Sequence, residues 1–228
     1  MVRELLDGMV EGIPAVQEIF ATARWIEEHG SVIPGQGIVI TESTEQELGK
    51  VSNLVTPQQV LALVRIPDTA IQPESLLSET VLGLESIRDP GNLGTIIRTA
   101  DWFGIRHIVC TPDSVDLYNP KVVQSTMGAM VRVKVCYWEI EALLKEDYLQ
   151  DKPVYGTFLI GQNIYETHLQ KDPLILFGNE SRGLSSRYDP FLTSRISIPS
   201  FSGEHPGSES LNLASSVAVV CSEIRRRA

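Results

Sequence analysis

The sequence predicts an α/β fold built on a mostly parallel sheet that helices cover. From residue 81 onward, short apolar segments of strand length alternate with segments of helical periodicity. The segment 67–79 carries two prolines and several polar residues, which is typical of a linker. We therefore expect a small α/β domain over 1–66, a linker over 67–79 and a larger domain over 80–228.

The small domain is expected to contain helices over 13–29 and 44–51 and strands over 37–41 and 60–66. In the larger domain, apolar runs predict strands over 81–84, 106–110, 131–135, 153–159, 174–177 and 195–198. Periodic segments predict helices over 92–103, 120–130, 139–149 and 211–226. This regular alternation is the basis for the predicted parallel sheet.

The net charge of −10 argues against tight, non-specific binding to a polyanion. Residues 1–80 carry a net charge of −8, whereas residues 81–228 carry only −2. A specific contact with a nucleic acid thus stays compatible with the larger domain. Two groups of arginines indicate a local positive cleft there: Arg225 to Arg227 at the C-terminal end, and Arg182, Arg187 and Arg195.

Cysteine, histidine and hydropathy patterns exclude several classes of protein. Cys110, Cys136 and Cys221 lie far apart in apolar runs, so we expect buried free thiols. The four histidines show no metal-ligand spacing, and no metal is expected. No segment approaches eighteen uninterrupted apolar residues, and the N-terminus lacks the apolar core of a signal peptide. A cytoplasmic protein without membrane contact is the simplest interpretation.

Three short segments combine residues that can carry chemistry. The first, 89–100, follows a predicted strand and opens a helix, in which Asn92 is a candidate cap. Arg98 lies on the same helix between apolar residues, where a guanidinium usually has an assigned anion. That anion is either part of a ligand or a carboxylate in a structural salt bridge.

The second segment is the loop 178–183 after a buried strand, with glycines at both ends and Glu180 between them. Ligands of open α/β sheets lie at such strand ends, and Gly178 would allow a ligand to approach the backbone closely. The loop lacks a Walker lysine and the G-x-G-x-x-G spacing, which disfavours phosphate cradling of the nucleotide-hydrolase kind. A tight turn with a solvated glutamate is the alternative.

The third segment comprises Ile198 and Pro199 at a strand end, followed by Ser210, Leu211 and Asn212 before the last helix. Ser210 or Asn212 is expected to cap that helix, whose first turn offers free N–H donors.

In this order, the three segments resemble the SpoU (TrmH-type) family of RNA ribose 2′-O-methyltransferases, over roughly residues 81–228. The resemblance implies a parallel α/β domain with a C-terminal trefoil knot, S-adenosylmethionine bound in that knot, and a homodimer. It also implies two sets of site residues. The catalytic set is Asn92, Arg98, Glu180, Ser210 and Asn212, and the cofactor contacts are Gly178, Ile198 and Leu211.

Three other segments bear on the resemblance. Segment 119–129 is similar to a family segment and would place Ser125 and Gly128 near the site. Segments 8–12 and 56–64 look like parts of the small substrate-binding domain of ribosomal RNA members. The basic start usual in that domain is absent here, so shape recognition would have to replace a basic surface.

A further departure is the loop between Pro199 and Ser210, which is longer than is usual in the family. It contains Glu204 and His205, and we interpret it as a surface loop.

The expected function is S-adenosylmethionine-dependent 2′-O-methylation of RNA, with ribosomal RNA favoured over transfer RNA. The alternative is a non-catalytic RNA- or ribosome-binding factor on the same fold, which the acidic first domain favours. A nucleotide-dependent dehydrogenase is remote because the dinucleotide fingerprint is missing.

Overall fold

In the computed structural model, residues 2–7, 16–30, 37–52, 56, 58–66, 73–202 and 209–227 are described. The predicted family segment 8–12 and the loop residues Glu204 and His205 lie outside these ranges. The chain divides into two units, Met1–Thr69 and Ala70–Ala228. Within the described residues, no helix has the length and apolar character needed to cross a membrane.

The first unit is built on a three-stranded sheet in the order β2-β1-β3. The central strand β1 pairs in parallel with β2 and antiparallel with β3. The strands are β1 (Val16–Ala21), β2 (Val39–Glu42) and β3 (Val60–Val64). The helices are α1 (Val2–Asp7), α2 (Ala23–His29) and α3 (Glu45–Val51).

The helix predicted over 13–29 is wrong in its first half, because residues 16–21 form strand β1. Ile19 and Ala21 are fully buried in the sheet, and β-branched residues such as Val16 and Ile19 suit its pleated surface. Thr22 then separates strand from helix, since its side chain accepts a hydrogen bond from Trp25 N at 3.3 Å and caps α2.

The second unit contains a six-stranded sheet in the order β6-β5-β4-β8-β7-β9. Every pair in this sheet is parallel, which confirms the predicted α/β fold on a parallel sheet. The strands are β4 (Val81–Leu84), β5 (His107–Cys110), β6 (Lys134–Tyr137), β7 (Val154–Asn163), β8 (Leu174–Phe177) and β9 (Ser194–Ser197). The helices are α4 (Pro73–Ser78), α5 (Pro90–Trp102), α6 (Pro120–Ser125), α7 (Ile140–Leu144) and α8 (Leu213–Arg226).

Helix α4 lies in the segment predicted as a linker. Its Leu76 is 1% exposed and packs in a cluster with Val81 and Leu174 of the second unit.

A strand predicted over 131–135 begins only at Lys134, because Ala129–Val131 form a 3-10 turn. Two apolar clusters form the core of this unit, and the larger contains the inner faces of α5 and α8. All three cysteines are free thiols; Cys110 and Cys221 are buried and Cys136 is half-buried.

The basic C-terminal end of α8 has structural partners. Arg225 donates to the carbonyl oxygens of Phe103 (2.6 Å) and Gly104 (2.9 Å), at the end of α5. Arg226 and Arg227 both donate to the carboxylate of Glu223, and Arg227 also donates to Ile164 O at 2.8 Å. These arginines therefore stabilise helix ends and loops, and the positive cleft predicted from them is not formed by free charges.

We predict that the Glu223 carboxylate makes the fold sensitive to acid. Its side chain is only 5% exposed, and the hydrogen bonds from Arg226 and Arg227 lower its pKa to about 2. The unfolded chain, with an ordinary glutamate pKa of about 4.3, takes up this proton first as pH falls. The free energy of unfolding should therefore decrease between about pH 5 and about pH 2.

Urea titrations across this pH range test the prediction, with Glu223→Gln expected to flatten the decrease. The control is Glu166→Gln, which removes an exposed carboxylate but keeps an oxygen that can accept the hydrogen bond from Asn163 Nδ2, 2.9 Å away in the wild type; it should leave the profile close to that of the wild type. An unchanged slope in Glu223→Gln would contradict the assignment.

Helices α5 and α6 pack closely at Gly94. A Cβ atom built there would lie 2.4 Å from Ser125 Cβ and 2.9 Å from Val122 O, so no larger residue fits without separating the helices. This contact sets how closely α6 approaches α5.

Gly94→Ala should destabilise the protein by roughly 1–3 kcal/mol, because overpacking outweighs the helix propensity that alanine gains. Gly30→Ala is the matched control, since its Cβ would meet only an ordinary contact at 3.5 Å. We expect that control to change stability by less than about 0.5 kcal/mol. Equal effects of the two variants in urea unfolding would show that the α5–α6 contact is not tight.

Candidate functional site

The candidate site lies at the carboxyl ends of β4 and β8, the two central neighbours of the six-stranded sheet. From β4 the chain continues to β5 and β6 on one side, whereas β8, β7 and β9 lie on the other. Such a switch point opens a crevice in which parallel α/β sheets commonly bind ligands. Helix α5 follows β4 closely, and the loop 178–183 follows β8 directly.

The cap of α5 is Asp89, whereas the sequence indicated Asn92 as the candidate cap. Asp89 Oδ1 accepts the backbone N–H of Asn92 at 2.8 Å. The Asn92 side chain is thereby available for other elements, and its Nδ2 donates to Glu180 Oε1 at 3.1 Å. Two of the three predicted segments therefore meet through this bond.

The loop after β8 folds back on itself. Asn179 and Gly183 exchange backbone hydrogen bonds of 3.1 and 2.9 Å, and Gly183 adopts φ +69°. A Cβ at Gly178 would lie 2.0 Å from Gly183 C. The glycine at 178 is thus required for this closure, and the predicted reason, close approach to a ligand, is not needed to explain it.

Asn179 and Glu180 are held by side-chain bonds within and beyond the loop. Asn179 Oδ1 accepts the backbone N–H groups of Ser181 (3.0 Å) and Arg182 (3.2 Å), and its Nδ2 donates to Ser86 O at 2.8 Å. The same Nδ2 lies 3.3 Å from Glu180 Oε2. Both carboxylate oxygens of Glu180 therefore have amide donors.

Asn212 brings the third segment to the same place. As the cap of α8, its Oδ1 accepts from Ala214 N at 2.9 Å and Ser215 N at 3.4 Å. Its Nδ2 donates to Asn92 Oδ1 at 3.1 Å. Asn212, Asn92 and Glu180 thus form a continuous hydrogen-bonded chain, which we call the amide relay.

Arg98 lies on the exposed face of α5, and it makes no hydrogen bond or ion pair with another described residue. The structural salt bridge considered as an alternative is therefore not found within the described part of the chain.

The other predicted residues near the site lie as follows. Ser210 is exposed just before the cap of α8. Ser125 Oγ donates to Lys121 O at 2.7 Å, and Gly128 adopts φ +93°.

Two of the predicted cofactor residues have unused backbone groups. Gly178 is buried, yet neither its N–H nor its C=O bonds to another described residue. The same is true of the half-buried Ile198, directly after β9. Buried backbone groups are almost always paired, so these positions fit a ligand held through the main chain. Leu211 is 52% exposed and adds an apolar surface.

The arginines near the second and third segments differ in their partners. Arg187 pairs with Glu85 at 3.0 Å and donates to Tyr188 Oη at 2.7 Å. Arg195 pairs with Asp189 and lies over the ring of Phe158 at 4.7 Å. Arg182 is exposed and has no hydrogen bond or ion pair from its guanidinium among the described residues.

A cavity of about 570 Å³ opens beside the amide relay. Its walls include Glu85, Ser86, Thr111 and Asp113, which the sequence analysis did not single out. Glu85 and Ser86 directly follow β4, and Thr111 directly follows β5. Their place after predicted strands is the signal that could have identified them.

The cavity wall at Ser86 is strained and held by hydrogen bonds. Ser86 has φ +53°, its N–H donates to Thr111 Oγ1 at 2.7 Å, and its hydroxyl donates to Asp113 Oδ2 at 2.7 Å. Thr111 Oγ1 donates in turn to Asp113 Oδ1 at 2.6 Å. These bonds, with the nearby charge of Arg88, lower the pKa of Asp113 below its ordinary value.

Comparison with known proteins identifies the family of the chain. Residues 79–222 match the SpoU rRNA Methylase family. The chain belongs to this family. The chain is also 28% identical to the Bacillus subtilis 23S rRNA (guanosine(2553)-2′-O)-methyltransferase RlmP, over 95% of this chain and 88% of that protein.

Solved structures of family proteins share the fold. A protein from Porphyromonas gingivalis assigned to the TrmH family of RNA methyltransferases superposes with a TM-score of 0.85 at 35% identity, over 100% of this chain and 87% of that one. The SpoU methyltransferase AviRb from Streptomyces viridochromogenes, in complex with the cofactor AdoMet, gives 0.80 at 20% identity, over 99% and 86%. At that identity, the likeness to AviRb concerns the fold alone.

We predict that the two functions of Asn212 can be separated by substitution. Asn212→Ala removes the cap of α8 and should cost about 1 kcal/mol of stability. Asn212→Asp keeps an oxygen for the N–H groups of Ala214 and Ser215, and its charge suits a helix N-terminus, so its loss of stability should be smaller. Urea unfolding of both variants measures the difference. Equal losses would show that the bond to Asn92, and not the cap, carries the contribution of Asn212.

Proposed function

We propose that this protein uses S-adenosylmethionine to methylate a ribose 2′-hydroxyl in RNA, with ribosomal RNA as the favoured substrate. The observation that carries the proposal is the amide relay, which joins Asn92, Glu180 and Asn212. Arg98 lies on the same helix as Asn92 and is exposed there, with no partner among the described residues. Membership of the SpoU family and the similarity to RlmP support the reaction and the substrate class. Cytoplasmic location is part of the same proposal.

The cofactor fits the residues at the strand ends. The backbone groups of Gly178 and Ile198 would hold S-adenosylmethionine, and Leu211 would pack against it; AviRb has this cofactor on the same fold. S-adenosylmethionine supplies a methyl group that its sulfonium already activates, so the chemistry requires no metal. The protein must chiefly position the 2′-oxygen and help remove its proton.

Arg98 is proposed to act through its permanent charge. An arginine stays protonated at neutral pH and is therefore a poor general base. Its guanidinium, free of partners among the described residues, can instead grip an RNA phosphate. The same charge lowers the cost of the negative charge that develops on the 2′-oxygen, with that phosphate as the proton acceptor.

The relay residues are proposed to orient the substrate. Glu180 does not hold Arg98; its two oxygens accept from Asn92 and Asn179, which fixes the carboxylate for contact with a ribose hydroxyl. Asn92 and Asn212 position that carboxylate and the start of α8. Ser210, which is exposed just before Asn212, is placed with this set by family resemblance.

The C-terminal trefoil knot and the homodimer are also proposed from the family. Support for the knot comes from the strand order, in which β9 lies outside β7 while the following helix α8 returns to pack against α5. The first unit is proposed to bind the substrate RNA. Because residues 1–80 carry a net charge of −8, it would recognise RNA by shape and not by a basic surface.

The acidic first unit also favours a second candidate, a non-catalytic RNA- or ribosome-binding factor on the same fold. A methyl-transfer assay separates the two. Labelled S-adenosylmethionine is incubated with unmodified ribosomal RNA and with unmodified transfer RNA, and the product is mapped with nucleases. One labelled 2′-O-methyl nucleotide in ribosomal RNA is the expected result. RNA binding without methyl transfer, in protein that binds the cofactor, would favour the non-catalytic candidate.

We predict that Arg98→Ala lowers kcat at least about 100-fold, the typical cost of removing a group that stabilises developing charge. The dissociation constant for S-adenosylmethionine should stay close to that of the wild type, because the proposed cofactor residues lie on other elements. Steady-state methyl transfer and calorimetric cofactor titration measure the two effects. Loss of cofactor binding in a folded Arg98→Ala protein would contradict the role.

Arg98→Lys is the matched variant for that test. It keeps the positive charge but loses the planar, two-pronged geometry with which arginine contacts a phosphate. Partial activity, between that of the wild type and that of Arg98→Ala, is expected if charge and geometry both contribute.

A further inference from the structure

The cavity beside the amide relay is not accounted for by the proposed catalytic or cofactor residues. Neither Gly178, Ile198 nor Leu211 lines it. It shares one wall with the site, because Asn179 lines the cavity while its Nδ2 contacts both Ser86 O and Glu180 Oε2. Whatever occupies the cavity therefore lies next to the group that is proposed to contact the reacting ribose.

Two of the three carboxylates that line the cavity, Glu85 and Asp113, are paired with neighbouring protein groups. Glu85 Oε1 pairs with Arg187 at 3.0 Å and its Oε2 accepts Ser185 N at 2.8 Å. Asp113 is fully engaged by Ser86, Thr111 and Arg88. Glu85 and Asp113 are therefore already satisfied, which weakens their attraction for a cation and their repulsion of a phosphate.

The groups that remain available are varied in their chemistry. Arg182 offers a cation without a partner among the described residues, Ser186 offers a hydroxyl, and Glu139 offers a carboxylate that does not cap its helix. A nucleobase carries hydrogen-bond donors and acceptors on one edge and fits a polar wall of this mixed kind. The volume of about 570 Å³ lies within the range of pockets that hold small organic groups.

The backbone that carries Arg182 is fixed before any substrate arrives. Its N–H donates to Asn179 Oδ1 at 3.2 Å, and the next residue, Gly183, closes the loop by backbone bonds to Asn179. Because this backbone is already ordered, binding costs only the freedom of the Arg182 side chain, which favours its use in recognition.

We propose that this cavity binds one unstacked base of the substrate RNA next to the methylated ribose, and that Arg182 contacts the phosphate beside that base. The inference rests on the proposed function, whose site the cavity adjoins. RNA that is recognised in sequence usually presents splayed-out bases of single-stranded loops, and a pocket beside the reacting group would select among them. The cavity would then contribute to the choice of nucleotide.

Arg182→Ala tests the phosphate contact. Binding of in vitro transcribed ribosomal RNA to the full-length protein is measured across a series of salt concentrations. The variant should bind about tenfold more weakly, and the slope of log K against log salt should be smaller by about 1. Lys171→Ala is the charge-matched control, since Lys171 is 93% exposed and lies before β8, at the opposite end of that strand. It should bind RNA like the wild type.

Ser186→Trp tests the base contact by filling the cavity with a bulky side chain at an exposed position. The KM for RNA should rise at least tenfold, while the dissociation constant for S-adenosylmethionine stays unchanged. Circular dichroism and urea unfolding establish that the variant is folded. Lys171→Trp, which places the same bulky side chain at a 93% exposed position outside the cavity, should keep a KM within about twofold to threefold of the wild type.

The outcomes distinguish this inference from the proposed function. If the wild-type protein methylates RNA and both Arg182→Ala and Ser186→Trp leave RNA binding and KM unchanged, the inference is overturned and the function stands. If Ser186→Trp weakens cofactor binding instead, the cavity belongs to S-adenosylmethionine and the inference is again overturned. If the wild type neither binds nor methylates RNA, both proposals fail.

Discussion

The hydrogen-bonded chain from Asn212 through Asn92 to Glu180 is the constraint on which the candidate site depends. Its bonds join residues 120 and 88 positions apart in the sequence. Each asparagine uses both ends of its amide: Asn212 caps α8 with its oxygen and donates with its nitrogen, and Asn92 accepts from one neighbour and donates to the other. An amide supplies a donor and an acceptor together, which neither a carboxylate nor an apolar side chain does.

Much of the fold and part of the site could be predicted from the sequence. The alternation of buried strands and periodic helices specified the parallel sheet, since both faces of such a sheet must be covered. The helix predicted over 13–29 failed because Val16, Ile19 and Phe20 repeat at a spacing that suits a helix, whereas their β-branched and aromatic character suits a strand. Hydrogen-bonded pairing with β2 and β3 favours the strand over the helix, and such pairing cannot be read from the local sequence pattern.

At the site, the sequence identified the segments that meet but not all of their bonds. Asp89 and Asn92 are both good helix caps, and only the geometry of the turn shows that Asp89 fills this role and releases Asn92. The need for glycine at 178 was attributed to close approach of a ligand, whereas a Cβ there would already collide with the loop's own Gly183. From the sequence alone, the basic run Arg225–Arg227 could not be distinguished from a binding surface. The partners of Arg225 are the backbone carbonyl oxygens of Phe103 and Gly104, which lie far away in the sequence.

Helices α5 and α8 are joined at both of their ends. Asn212 binds Asn92 where the helices begin, and Arg225 binds Phe103 and Gly104 where they finish. Arg225 is made more than a hundred residues after Phe103. During synthesis, the first two segments of the site therefore leave the ribosome well before the helix that secures them. The nascent chain should stay inactive until helix α8 has emerged and docked, so the order of synthesis delays any reaction with nearby ribosomal RNA.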